Sequence, residues 1–468
     1  GGSIPDLDRL DDALWDEGLR KAEGDLRGLA RLLLRARAKR SVHLQVWGGS
    51  MTLGHGCCCV GKDVCFRPGG ARKYAPPQLP GCKHKECAWS FRFASLLRSA
   101  FPGANVTLDN RAVAGCGGDC TLPSLAVQLS ASTGPAPDLV LFDFSQNGNG
   151  LGNYELLARI VHFFLPRTQL AVLWTGGQAV FQGTTRVEKK QVQFAEYRNY
   201  PVAVLEQYRV PYLNFYASED AFVRGGGAYV NIWDEGTHPS WRTHSYVADL
   251  LSRWCNVVLD KLEACDIDAA VPDGPALRHP EDFRPDEIWM SGFQKKGEKK
   301  PRKVKPLNMS NVCLRPFTKH SAYEPSPTSP RSGGGWRLYE DRPEKPGWIA
   351  SSPSDWLWFP VQLGPARGLI VQYLRSYENL GDAEVLIRGP QPERVRNLTL
   401  LPGLWERATS ETETEFWFPC DLYDARCGNT AKSRFHRLRG LKPGNYTVGF
   451  RLANGTGNKF KLITLLTC

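Results

Sequence analysis

The stretch Val42-His43-Leu44-Gln45-Val46-Trp47-Gly48-Gly49-Ser50-Met51-Thr52-Leu53-Gly54 decides the fold. Its first six residues alternate and are rich in β-branched and aromatic side chains, so they predict a buried strand. Two glycines and a serine follow. Glycine lets the backbone turn sharply at a strand end, which leaves the Ser50 hydroxyl at the carboxyl edge of a sheet, where open α/β sheets bind ligands. An ordinary Gly-Ser turn has the same composition, so this segment alone fixes a place and not a chemistry.

Outward from this strand, apolar runs alternate with helical stretches. Strands are predicted at 42–48, 105–112, 138–145, 169–175 and 210–216, and helices at 88–100, 121–132, 152–165, 190–208 and 240–263. Alternating β and α argues for a mostly parallel sheet with helices on both faces. Residues 1–40 carry a charged amphipathic helix over 6–40, with Leu10, Leu19, Leu26, Leu29, Leu32 and Leu33 at helical spacing, packed on the domain at 41–265. The segment from Gly54 to Cys87 holds Cys57, Cys58, Cys59, Cys65, Cys82 and Cys87. A loop of that length is functional or disulfide-held, and here it can wall a cleft beside Ser50. Residues 266–335 are rich in Pro, Lys, Asp and Ser and read as a linker. Beyond it, 336–468 reads as a β-sandwich of short alternating strands separated by turns. Its Trp336, Trp348, Trp356, Trp358, Trp405 and Trp417 sit at strand spacing, which favours a core role over sugar stacking.

A serine becomes a nucleophile only beside a base. The loop Asn231-Ile232-Trp233-Asp234-Glu235-Gly236-Thr237-His238-Pro239-Ser240 puts two acids three and four residues before a histidine, so an acid can hold the imidazole while its other nitrogen faces the serine. Two further segments end in donors. Leu108-Asp109-Asn110-Arg111-Ala112-Val113-Ala114-Gly115 offers the backbone N–H of Gly115. Asp138-Leu139-Val140-Leu141-Phe142-Asp143-Phe144-Ser145-Gln146-Asn147 offers the Asn147 amide. Both suit a developing oxyanion.

Taken in order, Ser50, Gly115, Asn147 and His238 resemble the four blocks of the SGNH (GDSL-type) hydrolase superfamily, over roughly residues 41–260. The resemblance implies a flavodoxin-like three-layer α/β sheet, with the C-terminal sandwich added to it. It also implies a serine esterase or acyltransferase. Ser50 is then the nucleophile and His238 the base, with the N–H groups of Ser50 and Gly115 and the Asn147 amide as the oxyanion hole. Three departures stand out. Gly49 occupies the place of the family's usual Asp, and Gly148 follows Asn147 where Asp is usual. The usual Asp-x-x-His spacing falls on Glu235, with Asp234 one place earlier, so either acid can orient His238. The departures keep a second reading open: a catalytically inactive SGNH-fold structural or adhesive extracellular glycoprotein.

Composition sets the surroundings. The 14 cysteines and the sequons at Asn105, Asn308, Asn397, Asn445 and Asn454 favour the secretory pathway: extracellular, cell-surface or Golgi-luminal. Short-range disulfide candidates are Cys82–Cys87, Cys116–Cys120, Cys255–Cys265 and Cys420–Cys427. The Cys57-Cys58-Cys59 triplet reads as separate disulfide partners, because adjacent cysteines do not easily share one tetrahedral ion. No cofactor or metal is implied. No run of 18 apolar residues is present, hence no membrane span is expected, and the start at Gly1 reads as a processed or truncated form. The net charge of +11 has a local source in the Lys295–Lys305 run, which suits an acidic polysaccharide or a membrane surface. No nucleic-acid motif accompanies it. The resemblance, with the basic surface and the aromatic-rich sandwich beside it, implies an O-acylated, foremost O-acetylated, glycan or polysaccharide substrate, with acidic polysaccharide or other extracellular glycoproteins as further partners.

Overall fold

The computed structural model describes residues 12–20, 22, 24–57, 84–114, 116–118, 121, 125, 135–144, 154, 157–158, 160–161, 164–175, 205–206, 208–225, 238, 241–264, 318–323, 330–341, 345–365, 367–389, 395–405, 410–417 and 441–468. The chain divides into two compact units, Gly1–Gly118 with Thr133–Lys305, and Asp119–Ser132 with Pro306–Cys468.

The first unit is built on strands β1 (Val42–Gly48), β2 (Val106–Asn110), β3 (Leu139–Asp143), β4 (Gln169–Trp174) and β5 (Tyr212–Asn214), in the order β2-β1-β3-β4-β5. All the pairings are parallel. This is the flavodoxin-like order, which reverses between β1 and β3 and opens its ligand crevice there. Parallel strands are covered on both faces, which explains why β3 and β4 are buried at every position and apolar except at Asp143 and Gln169. Leu139 and Leu141 belong to one core layer with Leu44 and Val46. Val140 and Phe142 alternate with them and are equally buried, as are the helical residues Tyr154, Leu157, Ala158, Ile160 and Val161.

Helices α1 (Asp12–Leu19), α2 (Arg27–Arg37), α3 (Ser50–Leu53), α4 (His84–Cys87), α5 (Trp89–Ala100), α6 (Phe215–Arg224) and α7 (Trp241–Ala264) complete the described part of this unit. Leu29, Leu32, Leu33 and Ala36 form a buried i, i+3, i+4, i+7 stripe on α2. Each leucine of that stripe contributes about 1.5–3 kcal/mol when fully buried. The described part of the N-terminal region packs on the core as two helices, α1 and α2, where the sequence predicts one. The break falls at Gly24 (φ +33°), where a Cβ would lie 2.6 Å from the Arg209 carbonyl oxygen. The neighbouring Asp25 N–H donates to that same carbonyl at 2.7 Å, so the turn is pinned to the approach to β5.

The second unit stacks two antiparallel sheets. Its strands are β6 (Thr318–Ser321), β7 (Arg331–Ser332), β8 (Trp336–Glu340), β9 (Pro346–Ala350), β10 (Leu357–Leu363), β11 (Leu369–Arg375), β12 (Ala383–Arg388), β13 (Val395–Leu401), β14 (Glu411–Trp417), β15 (Gly444–Leu452) and β16 (Phe460–Thr467). One sheet runs β13-β12-β15-β10-β7 and the other β14-β11-β16-β9-β8, with β6 also on β16. Among the described residues the first of these strands, β6 from Thr318, lies inside the stretch read as linker. The tryptophans sort by face. Trp336, Trp348 and Trp417 join the core, whereas Trp356 and Trp358 stack on each other half-buried, under Arg451 and Arg388. Trp405 is half-buried under Arg375.

Two disulfide expectations are corrected. Cys87 pairs with Cys57 and not with Cys82. Cys255 is a free, buried thiol. It lies within α7, which continues to Ala264, so helix rise alone carries the chain about 14 Å away before Cys265, beyond the roughly 7 Å Cα limit of a disulfide. Cys116 and Cys468 are disulfide-bonded. Cys120, Cys265, Cys420 and Cys427 lie outside the described residues.

Glu219 on α6 is buried, and neither carboxyl oxygen has a hydrogen-bond partner among the described residues. Burial, with Asp220 beside it, holds its carboxyl well above the ordinary range. A raised folded-state pKa stabilises below the ordinary value and loses that contribution as pH rises. Thermal melts should show the wild type losing stability relative to Glu219→Gln as pH rises above the ordinary carboxylate range, with Glu219→Gln the more stable at neutral pH.

Candidate active site

Ser50 is the first residue of α3, directly after β1. Gly49 ahead of it is extended (φ −93°, ψ −154°), and Gly54 ends the helix at φ +100°. The serine therefore stands where strand becomes helix, at the β1/β3 switch point, and its N–H heads the helix with no intrahelical acceptor. His238, three residues before α7, brings its Nε2 to 2.7 Å from Ser50 Oγ. That is hydrogen-bonding distance for a nucleophile and its base. The two residues the sequence put forward as the reacting pair are brought together from 188 positions apart. Gly115, Asn147, Asp234 and Glu235 lie outside the described residues.

Three contacts hold the serine's helix to the sheet edge. Gly48 pairs with Asp143 across β1 and β3. A Cβ at Gly48 would sit 2.1 Å from Thr52 Oγ1 and 2.6 Å from the Asp143 carbonyl oxygen, so only glycine lets α3 fold back this closely. The buried Asp143 carboxylate then accepts two hydroxyls, Thr52 Oγ1 at 2.8 Å and Thr175 Oγ1 at 2.9 Å. It thereby ties α3 to the ends of β3 and β4.

The second side of the crevice is fastened by backbone. The ladder of β1 continues past β2, with Arg111 N–H on the Val46 carbonyl at 2.8 Å and Val113 N–H on that of Gly48 at 2.9 Å. Asn110 donates Nδ2 to the Thr52 carbonyl at 2.9 Å and to Ser90 Oγ at 3.1 Å, and accepts the Ala112 N–H at 3.0 Å. Leu53, Ala112 and Ala114 close over this junction as a small apolar cluster. The segment that leads into Gly115 is thus anchored beside the serine.

Sequence reasoning missed several of these groups. Asp143 lies in the segment that leads to Asn147, yet an acid at a strand end carries no sign of its hydroxyl partners until the register is known. His55 also escaped notice. It is buried, and its ring lies edge-on to that of His238 with centroids 5.6 Å apart.

The first unit has a flavodoxin-like three-layer α/β fold, and the second is a separate β-rich domain. A crystal structure of a two-domain esterase (CEX) active on acetylated mannans, co-crystallized with mannopentaose, is similar at 16% identity and a TM-score of 0.54, covering 97% of this chain and 97% of that one. A second structure of a two-domain esterase active on acetylated mannans gives 14% identity and a TM-score of 0.55, over 97% and 98%. A member of the lipolytic protein G-D-S-L family from Veillonella parvula DSM 2008 matches over 47% of this chain and 100% of its own, at 13% identity and a TM-score of 0.28. No family model matches the chain. No curated protein matches it either.

Asp143→Ala removes the carboxylate that accepts the Thr52 and Thr175 hydroxyls. Denaturant titration should give a loss of about 1–3 kcal/mol. Gly48→Ala should be at least as damaging, because the new methyl meets main chain that cannot move aside.

Proposed function

We propose that this chain is a secreted or luminal serine esterase or acyltransferase that acts on O-acyl groups of glycans, O-acetyl first among them. The observation that carries the reading is the 2.7 Å contact between Ser50 Oγ and His238 Nε2 at the switch point of the sheet.

In this mechanism Ser50 Oγ attacks the ester carbonyl while His238 Nε2 takes its proton. The same proton then passes to the departing sugar oxygen, leaving Ser50 acylated. Water deacylates the serine in an esterase; a sugar hydroxyl does so in a transferase. Glu235 or Asp234 holds the imidazole tautomer. The N–H groups of Ser50 and Gly115 and the Asn147 amide receive the oxyanion, where one good donor is worth about 2.7–4 kcal/mol of barrier.

Several features support the glycan substrate and the location. The structures similar over both units are of esterases active on acetylated mannans. Disulfides at Cys57, Cys87, Cys116 and Cys468 suit an oxidising compartment. The sequon residues Asn105, Asn445 and Asn454 are exposed, as glycan acceptors must be; Asn308 is outside the described residues. No helix among the described residues is long and apolar enough to cross a membrane.

Acetate release from acetylated mannan and other acetylated polysaccharides tests the proposal. Ser50→Ala should lower turnover by at least about 10³-fold and Asn147→Ala by about 10²–10³-fold. Of Glu235→Gln and Asp234→Asn, the larger loss identifies the orienting acid. Wild-type protein inert toward every acetylated glycan, with and without sugar acceptors, returns the chain to the inactive glycoprotein reading.

A further inference from the structure

The chain that leaves α3 is fixed a second time, close to the serine. Gly54 (φ +100°) and Gly56 (φ +84°) are both left-handed, and they bracket the buried His55 whose ring faces His238. The next residue, Cys57, is bonded to Cys87 at the end of α4. Trp241, the first residue of α7 and three beyond His238, packs on this disulfide.

The start of α5 completes the junction. Arg92 donates Nε to the Cys87 carbonyl at 2.7 Å and Nη1 to Ser245 Oγ at 2.9 Å. Its guanidinium lies 6.0 Å from the centre of the Trp241 ring. The Trp89 N–H donates to His244 Nδ1 at 3.1 Å. One short stretch, Cys87–Arg92, is therefore covalently bound to the serine's segment and hydrogen-bonded to the histidine's helix.

We propose that the Cys57–Cys87 disulfide, with Trp241 and Arg92 packed on it, is the positioning element that sets the separation of Ser50 and His238. This rests on reading those two residues as the catalytic pair. Cys57 lies seven positions after Ser50 and Trp241 three after His238, so the junction is close along the chain to both reacting residues. A misplacement of about 1 Å can cost on the order of 10²-fold in rate, without a matching change in substrate affinity. Both half-cystines are buried, so a reductant reaches them only when the junction opens. Reduction by dithiothreitol breaks the S–S bond, delivers two electrons and two protons to give two thiols, and closes the reagent to its own cyclic disulfide.

The test uses the full chain with p-nitrophenyl acetate. In the Cys57→Ala/Cys87→Ala variant, kcat should fall about 10- to 100-fold while KM stays within about twofold. Dithiothreitol should lower wild-type kcat to the variant's level and leave the variant unchanged, which separates this disulfide from those at Cys116 and Cys468. Trp241→Ala should lower kcat, and Trp241→Phe should restore most of it. A double variant with native circular dichroism and wild-type kcat overturns the proposal, as does a reductant that lowers both proteins in parallel. Should the double variant fail to fold, wild-type kcat in Trp241→Ala overturns it instead. Full turnover in Ser50→Ala, assayed alongside, overturns the catalytic pair itself; a dead Ser50→Ala beside an unimpaired double variant overturns only the positioning role.

Discussion

One hydrogen bond, between Ser50 and His238, joins two distant parts of the first unit. Its partners lie at opposite ends of the α/β domain, one at the head of α3 and one just before α7. A contact between side chains so distant in sequence cannot be supplied locally; it depends on the parallel sheet, whose order reverses beside β1 and leaves a crevice at the carboxyl ends of β1 and β3. The core layers hold that order. Helices α2, α5 and α7 pack on one face of the sheet with Leu44, Val46, Leu139 and Leu141, and α7 also packs against α2 and α5. The core thus fixes α7, the helix that His238 precedes by three residues.

The serine side is held by polar groups at close quarters. The missing side chain of Gly48 admits Thr52, and Thr52 reaches the Asp143 carboxylate, which also takes Thr175. Buried carboxylates are costly unless they are hydrogen-bonded, and here both oxygens are used. The resulting knot stiffens α3 against the sheet edge. This bears on the departures from the SGNH pattern. Gly49 contributes no carboxylate after β1, yet a carboxylate is still present at this junction, supplied from β3 by Asp143.

The sequence carried the α/β domain well and the site in part. Strand β1 was readable to the residue, because alternation in a central strand has no competitor. The sheet was readable because helices and strands alternate. Ser50 and His238 were readable because glycine and proline mark their loops. Other features depend on partners that only folding brings near. The Cys57–Cys87 pairing lost to a shorter candidate because sequence proximity says nothing of where α5 begins. The break between α1 and α2 at Gly24 comes from contact with Arg209, far along the chain. The β-sandwich tryptophans could be assigned to core or surface only once β8, β9, β10 and β14 had definite faces. Thr318–Ser321 was lost in a proline-rich stretch because its pairing with β16 is long-range.

The most direct measurement is covalent labelling of the folded protein with a fluorophosphonate, followed by intact mass and peptide mapping. The account predicts a single adduct on Ser50, lost in His238→Ala while circular dichroism stays native. No adduct in native wild-type protein, or an adduct whose rate is indifferent to His238, would contradict it.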